Sequence, residues 1–208
     1  MKKKEAKEYK VKRNWVIFVS IGILAVFSFV GAVFSSAIFS AKGSAPFSLR
    51  LITTIVVLLS FYAIDHIFRM EYKFLHYAFV VAILIMSVML SPFYYLLPAY
   101  DKMLHFLQPF LLSFIIFYTL PRNINIKHRL AYTFFITTSI LGLFEVSEYL
   151  LDVTFGWKMQ GVNVVVNNEL VEVVSRIDDT MIDMILGFSG AILFVVLGAV
   201  FNRRRLNH

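Results

Sequence analysis

Long apolar stretches separated by short polar connections run through most of the chain. A helix needs about 20 apolar residues to cross a hydrocarbon core roughly 30 Å thick, because only internal hydrogen bonds can satisfy its backbone there. Six stretches are long enough, although Pro92 and Pro98 could kink the third or end it early. They cover residues 15–39, 47–68, 74–97, 103–120, 130–151 and 180–201. The pattern predicts an all-α membrane protein with six transmembrane helices.

Composition agrees with a membrane protein and excludes several other classes. Of the 208 residues, 59% are hydrophobic and only 16% are charged, and the mean hydropathy is +0.76. These values are far from those of a soluble domain. The chain has no cysteine, which excludes a disulfide scaffold and thiolate metal sites.

The positions of the basic residues predict the orientation of the six helices. Lys and Arg accumulate in cytoplasmic connections, so the side that carries most of them is expected to be cytoplasmic, together with both termini. That set comprises Lys2, Lys3, Lys4, Lys7, Lys10, Lys12, Arg13, Arg69, Lys73, Arg122, Lys127, Arg129, Arg203, Arg204 and Arg205. We therefore expect a basic leader at 1–14, a transmembrane domain at 15–201 and a basic tail at 202–208. The net charge of +7 then reflects topology and does not indicate nucleic-acid binding.

Acidic residues accumulate near the extracytoplasmic ends of the last three predicted helices. Within each helix they are spaced three or four residues apart, often with a histidine, so each pair lies on one helix face. The pairs are Asp101 with His105, Glu145 with Glu148, and Asp179 with Asp183. Ionisable groups at this depth are too costly to face lipid, so the three faces are expected to meet in one outward-facing pocket.

Several carboxylates in one pocket cannot all ionise without repelling one another, so a cation or shared protons must compensate them. Carboxylates with one imidazole suit Mg, Mn, Zn or Fe, and metal sites in helix bundles use the same spacing. The alternatives are a proton or ion path, or a hydrogen-bonded network that only fixes helix packing. The candidate metal ligands are Asp101, His105, Glu145, Glu148, Asp179 and Asp183.

Two basic residues on the outer side are candidate substrate contacts. Lys102 could bind a phosphate or a carboxylate at the mouth of the pocket, although an interfacial lysine is as often only extended toward the headgroups. Arg176 lies on the same predicted side. On the opposite side, the four-residue spacing of Asp65 and Arg69 predicts a local ion pair.

The one long connection joins the fifth and sixth predicted helices, at about residues 153–178. Its apolar residues alternate loosely around Asn167 and Asn168, which predicts a small extracytoplasmic hairpin. Such a loop could form a lid or a substrate platform above the pocket. It could equally be a cover without a chemical role.

Three motifs in the last half of the chain resemble the VanZ-like family and the related YjdF-type inner membrane proteins. They are DKxxHF at 101–106, ExxE at 145–148 and DDTMIDMILGFSGA at 178–191. The resemblance implies a small multi-pass protein of the bacterial cytoplasmic membrane, and some VanZ-like members are linked to resistance to teicoplanin-type glycopeptides. VanZ-like chains tend to have Gln at the position of Glu148 and Asn at that of Gly187. Those departures favour the YjdF type for this chain.

Two classes of function follow from the pocket, and a non-catalytic envelope protein is a third hypothesis. In an enzyme, a bound cation would polarise a phosphoryl or acyl oxygen of a membrane lipid or a lipid-linked envelope precursor, and nearby side chains would move protons. The catalytic candidates are Asp101, His105, Glu145, Glu148 and Asp183. In a transporter, the same acids would form a proton or cation relay. Against transport, we expect no polar row continuing to the cytoplasmic side, apart from Asp65 and His66.

Overall fold

A computed structural model of the protein describes residues 15, 19, 22, 47–70, 72–91, 93–156, 160–167 and 169–202. The predicted leader at 1–14, and most of the predicted first span and of the tail, lie outside these residues. The chain divides into two compact units, Met1–Pro92 and Phe93–His208, and each is described by itself.

The described part of the first unit contains a long helix followed by a shorter one. Helix α1 (Phe47–Phe68) has the bounds predicted for the second span. Helix α2 (Phe74–Leu84) continues as a π-helix, Ile85–Met89. Within this segment the Ser87 hydroxyl donates to a backbone carbonyl one turn earlier at 2.6 Å, a bond that often bends membrane helices. The helical segment that begins at Phe74 thus ends at Met89, before Pro92, in agreement with the expectation that the third span could end early there.

The end of α1 shows why the predicted ion pair between Asp65 and Arg69 does not form. Arg69 has a φ of 52°, a left-handed conformation that ends the helix, and the N–H of Met70 donates to the Asp65 carbonyl at 3.3 Å. The Arg69 side chain is thus out of helical register and exposed. The buried Asp65 carboxylate instead accepts from the Tyr77 hydroxyl at 2.7 Å and from the Tyr72 N–H at 3.1 Å.

The described part of the second unit consists of helices and a β-hairpin. Helix α3 (Phe93–Leu96) is a single turn, and it precedes the long helices. These are α4 (Pro98–Thr119), α5 (Ile126–Phe155) and α6 (Arg176–Phe201). Between α5 and α6, strands β1 (Val162–Val166) and β2 (Glu169–Val174) pair in antiparallel fashion, which confirms a hairpin here, while its extracytoplasmic location stays a prediction. Asn167 supports the tight turn with a φ of 53°.

Local sequence signals fix the ends of the long helices. Pro98 opens α4, where its fixed φ suits the first helical turn. The Asn125 side chain caps α5 by accepting a backbone N–H at 2.9 Å, and Gly156 ends that helix with a φ of 66°. Ser175 caps α6 in the same way. Hydropathy does not register these capping residues, so all three helices begin before the predicted spans, and α5 also ends after its predicted span.

Three of the described helices are long and apolar enough to cross a membrane: Ala99–Thr119, Ile126–Phe155 and Arg176–Phe201. They correspond to the last three predicted spans. Two shorter apolar helical segments, Thr54–Phe68 and Phe74–Val88, lie in the first unit. The structure thus supports a helical membrane protein, whereas six spans and cytoplasmic termini stay predictions.

Glycines on α6 allow it to pack closely against α4 and α5. A Cβ atom on Gly190 would collide with the backbone carbonyl of Phe106 on α4, and one on Gly187 would collide with the side chain of Leu141 on α5. This close packing brings the polar ends of the three helices within reach of one another.

Candidate functional site

Polar side chains from α4, α5 and α6 meet near the ends of these helices that lie next to the hairpin. We call this group the carboxylate cluster. It consists of Asp101, Lys102 and His105 from α4, Glu145 from α5, and Asp179 and Asp183 from α6. The acids from α5 and α6 are almost completely buried, with exposed fractions of 5%, 4% and 2% in that order. The structure therefore brings together six of the side chains that the sequence singled out.

Lys102 lies at the centre of the carboxylate cluster and contacts three acids. Its Nζ atom is 3.1 Å from Asp101 Oδ2, and 2.8 and 2.9 Å from the two carboxylate oxygens of Asp183. It also donates to Asp179 Oδ1. One ammonium group thus bridges α4 and α6 and offsets part of the negative charge. The side chain turns into the cluster and does not extend toward the headgroups.

The imidazole of His105 lies between acids on both of its nitrogens. Nε2 is 3.5 Å from Asp101 Oδ1 and 3.8 Å from Asp183 Oδ2, while Nδ1 is 3.5 Å from Glu145 Oε1. Glu145 Oε1 is buried and has no hydrogen-bond partner of good geometry among the described residues. Burying such an oxygen unsatisfied is unfavourable, so a proton or a bound group is needed to complete this part of the cluster.

Three of these side chains offer ligand atoms at separations suited to a metal ion. Asp101, His105 and Asp183 each present one atom, and the three atoms lie within 4.8 Å of one another. Two ligand atoms about 2.1 Å from a tetrahedral ion lie roughly 3.4 Å apart, close to the spacing around His105 Nε2. A histidine that binds a metal usually donates its other ring N–H to a carboxylate, which fixes the orientation of the ring. Glu145 lies next to that nitrogen of His105. The arrangement can hold a cation with three ligands and leave coordination positions open.

Charge balance also favours an added cation or added protons. The carboxylates of Asp101, Glu145, Asp179 and Asp183 surround one ammonium group and one imidazole. Negative groups outnumber positive ones even when the imidazole is protonated. An uncompensated charge is less tolerable in this buried setting than in water. The carboxylate cluster therefore requires further positive charge.

Two acids connect the helix ends to the start of the hairpin. Asp179 Oδ2 accepts the N–H of Gly161 at 2.7 Å, while its other oxygen contacts the lysine of the cluster. Asp152 on α5 accepts the N–H of Gln160 at 3.0 Å, and the Gln160 side chain donates to the Thr180 hydroxyl at 3.0 Å. Sequence reasoning missed Gln160, Gly161 and Thr180. Their role depends on backbone N–H donors, one side-chain amide and one hydroxyl, which leave no charge pattern in the sequence.

Two predicted site residues lie outside this contact network. Glu148 is half-buried on α5 and makes no hydrogen bond or ion pair with any residue the structure describes. Glu148 is three residues from Glu145, so its side chain is rotated away from the direction in which Glu145 points at His105. Arg176 is exposed at the first turn of α6 and does not contact the acids of the carboxylate cluster.

Comparison with known proteins identifies the family of the chain but no individual relative. Residues 14–204 match the family model described as "Predicted membrane protein (DUF2238)". No curated protein and no solved structure matches the chain. The resemblance to VanZ-like and YjdF-type proteins stays a prediction. Because the match extends over nearly the whole sequence, the chain belongs to the DUF2238 family of predicted membrane proteins.

Proposed function

We propose that the carboxylate cluster binds a divalent cation within the membrane-spanning part of the protein. The observation that carries this proposal is the convergence of one ligand atom each from Asp101, His105 and Asp183 within 4.8 Å. One imidazole with two carboxylates is a donor set that suits Zn, Mn or Fe, and with more water ligands Mg. The buried, unsatisfied oxygen of Glu145 next to His105 supports the same site.

In this proposal the ligands are Asp101 Oδ1, His105 Nε2 and Asp183 Oδ2. Glu145 accepts the Nδ1 proton of His105 and so presents Nε2 to the ion. Open coordination positions would admit water and a phosphoryl or acyl oxygen, which is the requirement for metal-assisted hydrolysis or transfer. A site at this depth next to the ends of membrane helices suits a membrane lipid or a lipid-linked envelope substrate.

Metal analysis of the purified protein tests the proposal. Protein reconstituted in nanodiscs, loaded separately with Mg, Mn, Zn or Fe(II) and then dialysed, should retain about one ion per chain of at least one metal. His105→Ala and Asp183→Asn should lose it. His128→Ala should keep it, because His128 is exposed on the first turn of α5. A folded wild-type protein that retains none of the four ions contradicts the proposal.

The catalytic part of the proposal needs its own assay. Metal-loaded protein is incubated with phospholipids and with lipid-linked phosphate substrates, and released phosphate or acyl product is measured. Turnover that disappears in Glu145→Gln, with the fold retained, agrees with hydrolysis or transfer. Metal binding without turnover of any such substrate contradicts the catalytic part and leaves an ion-binding protein.

A second candidate function is a proton path along α5, and one observation favours it. The buried positions of this helix include Arg129, Thr133, Thr137, Leu141 and Glu145, each about one turn from the next. All but Leu141 are polar, so two hydroxyl groups and one arginine precede Glu145 along α5, without forming a row of acids and histidines comparable to the pocket itself. Hydroxyl groups both donate and accept hydrogen bonds, and together with water they can relay protons.

Leu141 is the residue that would close such a path. It is buried against Gly187 of α6 and separates Glu145 from the Thr137 hydroxyl, which lies 3.0 Å from that of Ser113 on α4. In proteoliposomes that contain a pH-sensitive dye, Leu141→Ala should speed proton entry, and adding Thr137→Val should reverse the gain. Leu143→Ala, on the exposed side of α5, is the control. Equal rates for the wild type and Leu141→Ala contradict a path gated by Leu141.

A further inference from the structure

The hairpin has one exposed apolar face. The strand register pairs Val164 with Val171, so Val166 lies on the same side as Val171, and Val173 lies two residues further along β2, at a register shift between the strands. We call Val166, Val171 and Val173 the valine face. Their exposed fractions are 48%, 43% and 50%. Exposed apolar residues that lie together indicate a contact surface, whereas single exposed valines are common on protein surfaces.

The base of the hairpin is held by hydrogen bonds that fix its orientation. The N–H of Gly161 is bonded to Asp179, and Gln160 is bonded to Asp152 and Thr180. Strand β1 also contacts α3 and α4. The base of the hairpin is therefore held to the helix ends, while the three valines of the valine face are exposed.

Exposed apolar residues also lie at the ends of the two helices that the hairpin connects. At the end of α5, Val153 and Phe155 have exposed fractions of 65% and 63%, and at the start of α6 Ile177 has one of 74%. Both helices are long and apolar enough to cross a membrane, so side chains exposed on their outer sides meet lipid. Arg176, exposed at the same helix turn, has the placement of a basic residue at the lipid phosphates.

We infer that the hairpin lies on the bilayer surface, with the valine face inserted into the interfacial layer of phospholipids. Apolar burial drives the contact, as it does for an amphipathic segment at a membrane surface. Glu172, which lies on the opposite face of β2 and is exposed, then points to water. The inference is independent of a metal in the carboxylate cluster. It gives the hairpin a partner, the lipid surface, and places the region next to the cluster at headgroup level.

Site-directed fluorescence tests the inference directly. Because the chain has no cysteine, a single introduced cysteine can be labelled with an environment-sensitive fluorophore at one position. Full-length Val171→Cys, Val173→Cys and Glu172→Cys are reconstituted in phosphatidylcholine–phosphatidylglycerol vesicles. Quenching by a lipid with a nitroxide near the headgroup and by aqueous iodide is then compared.

Labels at 171 and 173 should be quenched several-fold more by the nitroxide lipid than the label at 172, with the order reversed for iodide. Equal iodide quenching at 171, 172 and 173 would mean that the hairpin stands in water and would overturn the inference. Protection of 171 and 173 from both quenchers would mean that protein covers the face, which also overturns it. Two positions on the valine face guard against one variant that fails to fold. Metal content measured on the same samples keeps the outcome separate from that of the proposed cation site.

Discussion

Lys102 on α4 donates to both carboxylate oxygens of Asp183 on α6, at 2.8 and 2.9 Å. Asp183 Oδ2 also lies 3.8 Å from His105 Nε2, on the side where a cation would bind. The lysine ammonium and a bound cation therefore draw on the negative charge of the same carboxylate. Since like charges repel strongly at buried positions, the two compete.

Removing the Lys102 ammonium should strengthen divalent-cation binding. In Lys102→Met the chain length is kept but the competing charge is gone, so we expect an affinity gain of about tenfold, equivalent to about 1.4 kcal/mol. Metal-free Lys102→Met should unfold at a lower temperature, because three acids lose their common partner. Calorimetric titration and thermal unfolding in detergent measure the two effects. Lys127→Met, at an exposed position, is the control. Weaker cation binding by Lys102→Met would show that the lysine assists the ion.

Glu145 and Glu148 should differ sharply in their effect on the cation site. Glu145 Oε1 lies 3.5 Å from His105 Nδ1, whereas Glu148 has no such contact among the described residues. Loss of a carboxylate that orients a metal-bound histidine typically costs about 10–100-fold in affinity, so Glu145→Gln should bind the ion that much more weakly. Glu148→Gln should bind as the wild type does. Equal losses in the two variants would contradict the orienting role of Glu145.

Spacing along each helix predicted much of the cluster, but not its internal contacts. Four-residue intervals correctly grouped Asp101 with His105 and Asp179 with Asp183. The sequence could not separate Glu145 from Glu148, because that choice depends on how α5 is rotated against α4. Nor could it place Lys102, whose long side chain reaches either the headgroups or the acids, depending on the neighbouring helix.

The fold, like the cluster, could be predicted from the sequence only in part. Hydropathy predicted α1 and the positions of the last three spans, because a continuous apolar run has few alternatives to a membrane helix. It did not detect the π-helix at Ile85–Met89, since hydrogen-bond register within a helix does not alter hydropathy. It also missed the polar residues that precede Glu145 on α5, because Thr133 and Thr137 are nearly neutral in hydropathy. Counting the four-residue interval from Arg129 to Glu145 would have found them.

Asp179 should hold the start of the hairpin through its bond to Gly161. The 2.7 Å contact between Asp179 Oδ2 and the Gly161 N–H protects that amide from exchange. In Asp179→Ala, hydrogen–deuterium exchange of the peptide covering residues 160–166 should become faster. Asp178→Ala removes the neighbouring acid, which is exposed and, among the described residues, is hydrogen-bonded only to the helix cap at Ser175, and should leave that peptide unchanged. Unchanged exchange in Asp179→Ala would show that other contacts fix the hairpin.

Gly190 should be intolerant of a side chain, in contrast to Gly142. A Cβ atom at Gly190 meets the backbone carbonyl of Phe106, which cannot move without shifting α4, whereas one at Gly142 meets nothing within 4 Å. Overpacking of this kind costs about 1–3 kcal/mol, so Gly190→Ala should lower the unfolding midpoint in detergent. Gly142→Ala should preserve or raise it, because alanine favours the helix. Similar midpoints for the two variants would contradict the close packing of α4 and α6.

In the proposed cation site, Asp101, His105 and Asp183 from the last long helices hold a divalent cation. Anomalous diffraction from crystals of the intact protein grown with Mn²⁺ or Zn²⁺ tests it most directly. We expect one strong peak about 2.0–2.2 Å from His105 Nε2 and from one oxygen of each aspartate, with Glu145 on the other ring nitrogen. Well-ordered side chains with no peak between them, and with Lys102 alone neutralising the acids, would contradict it.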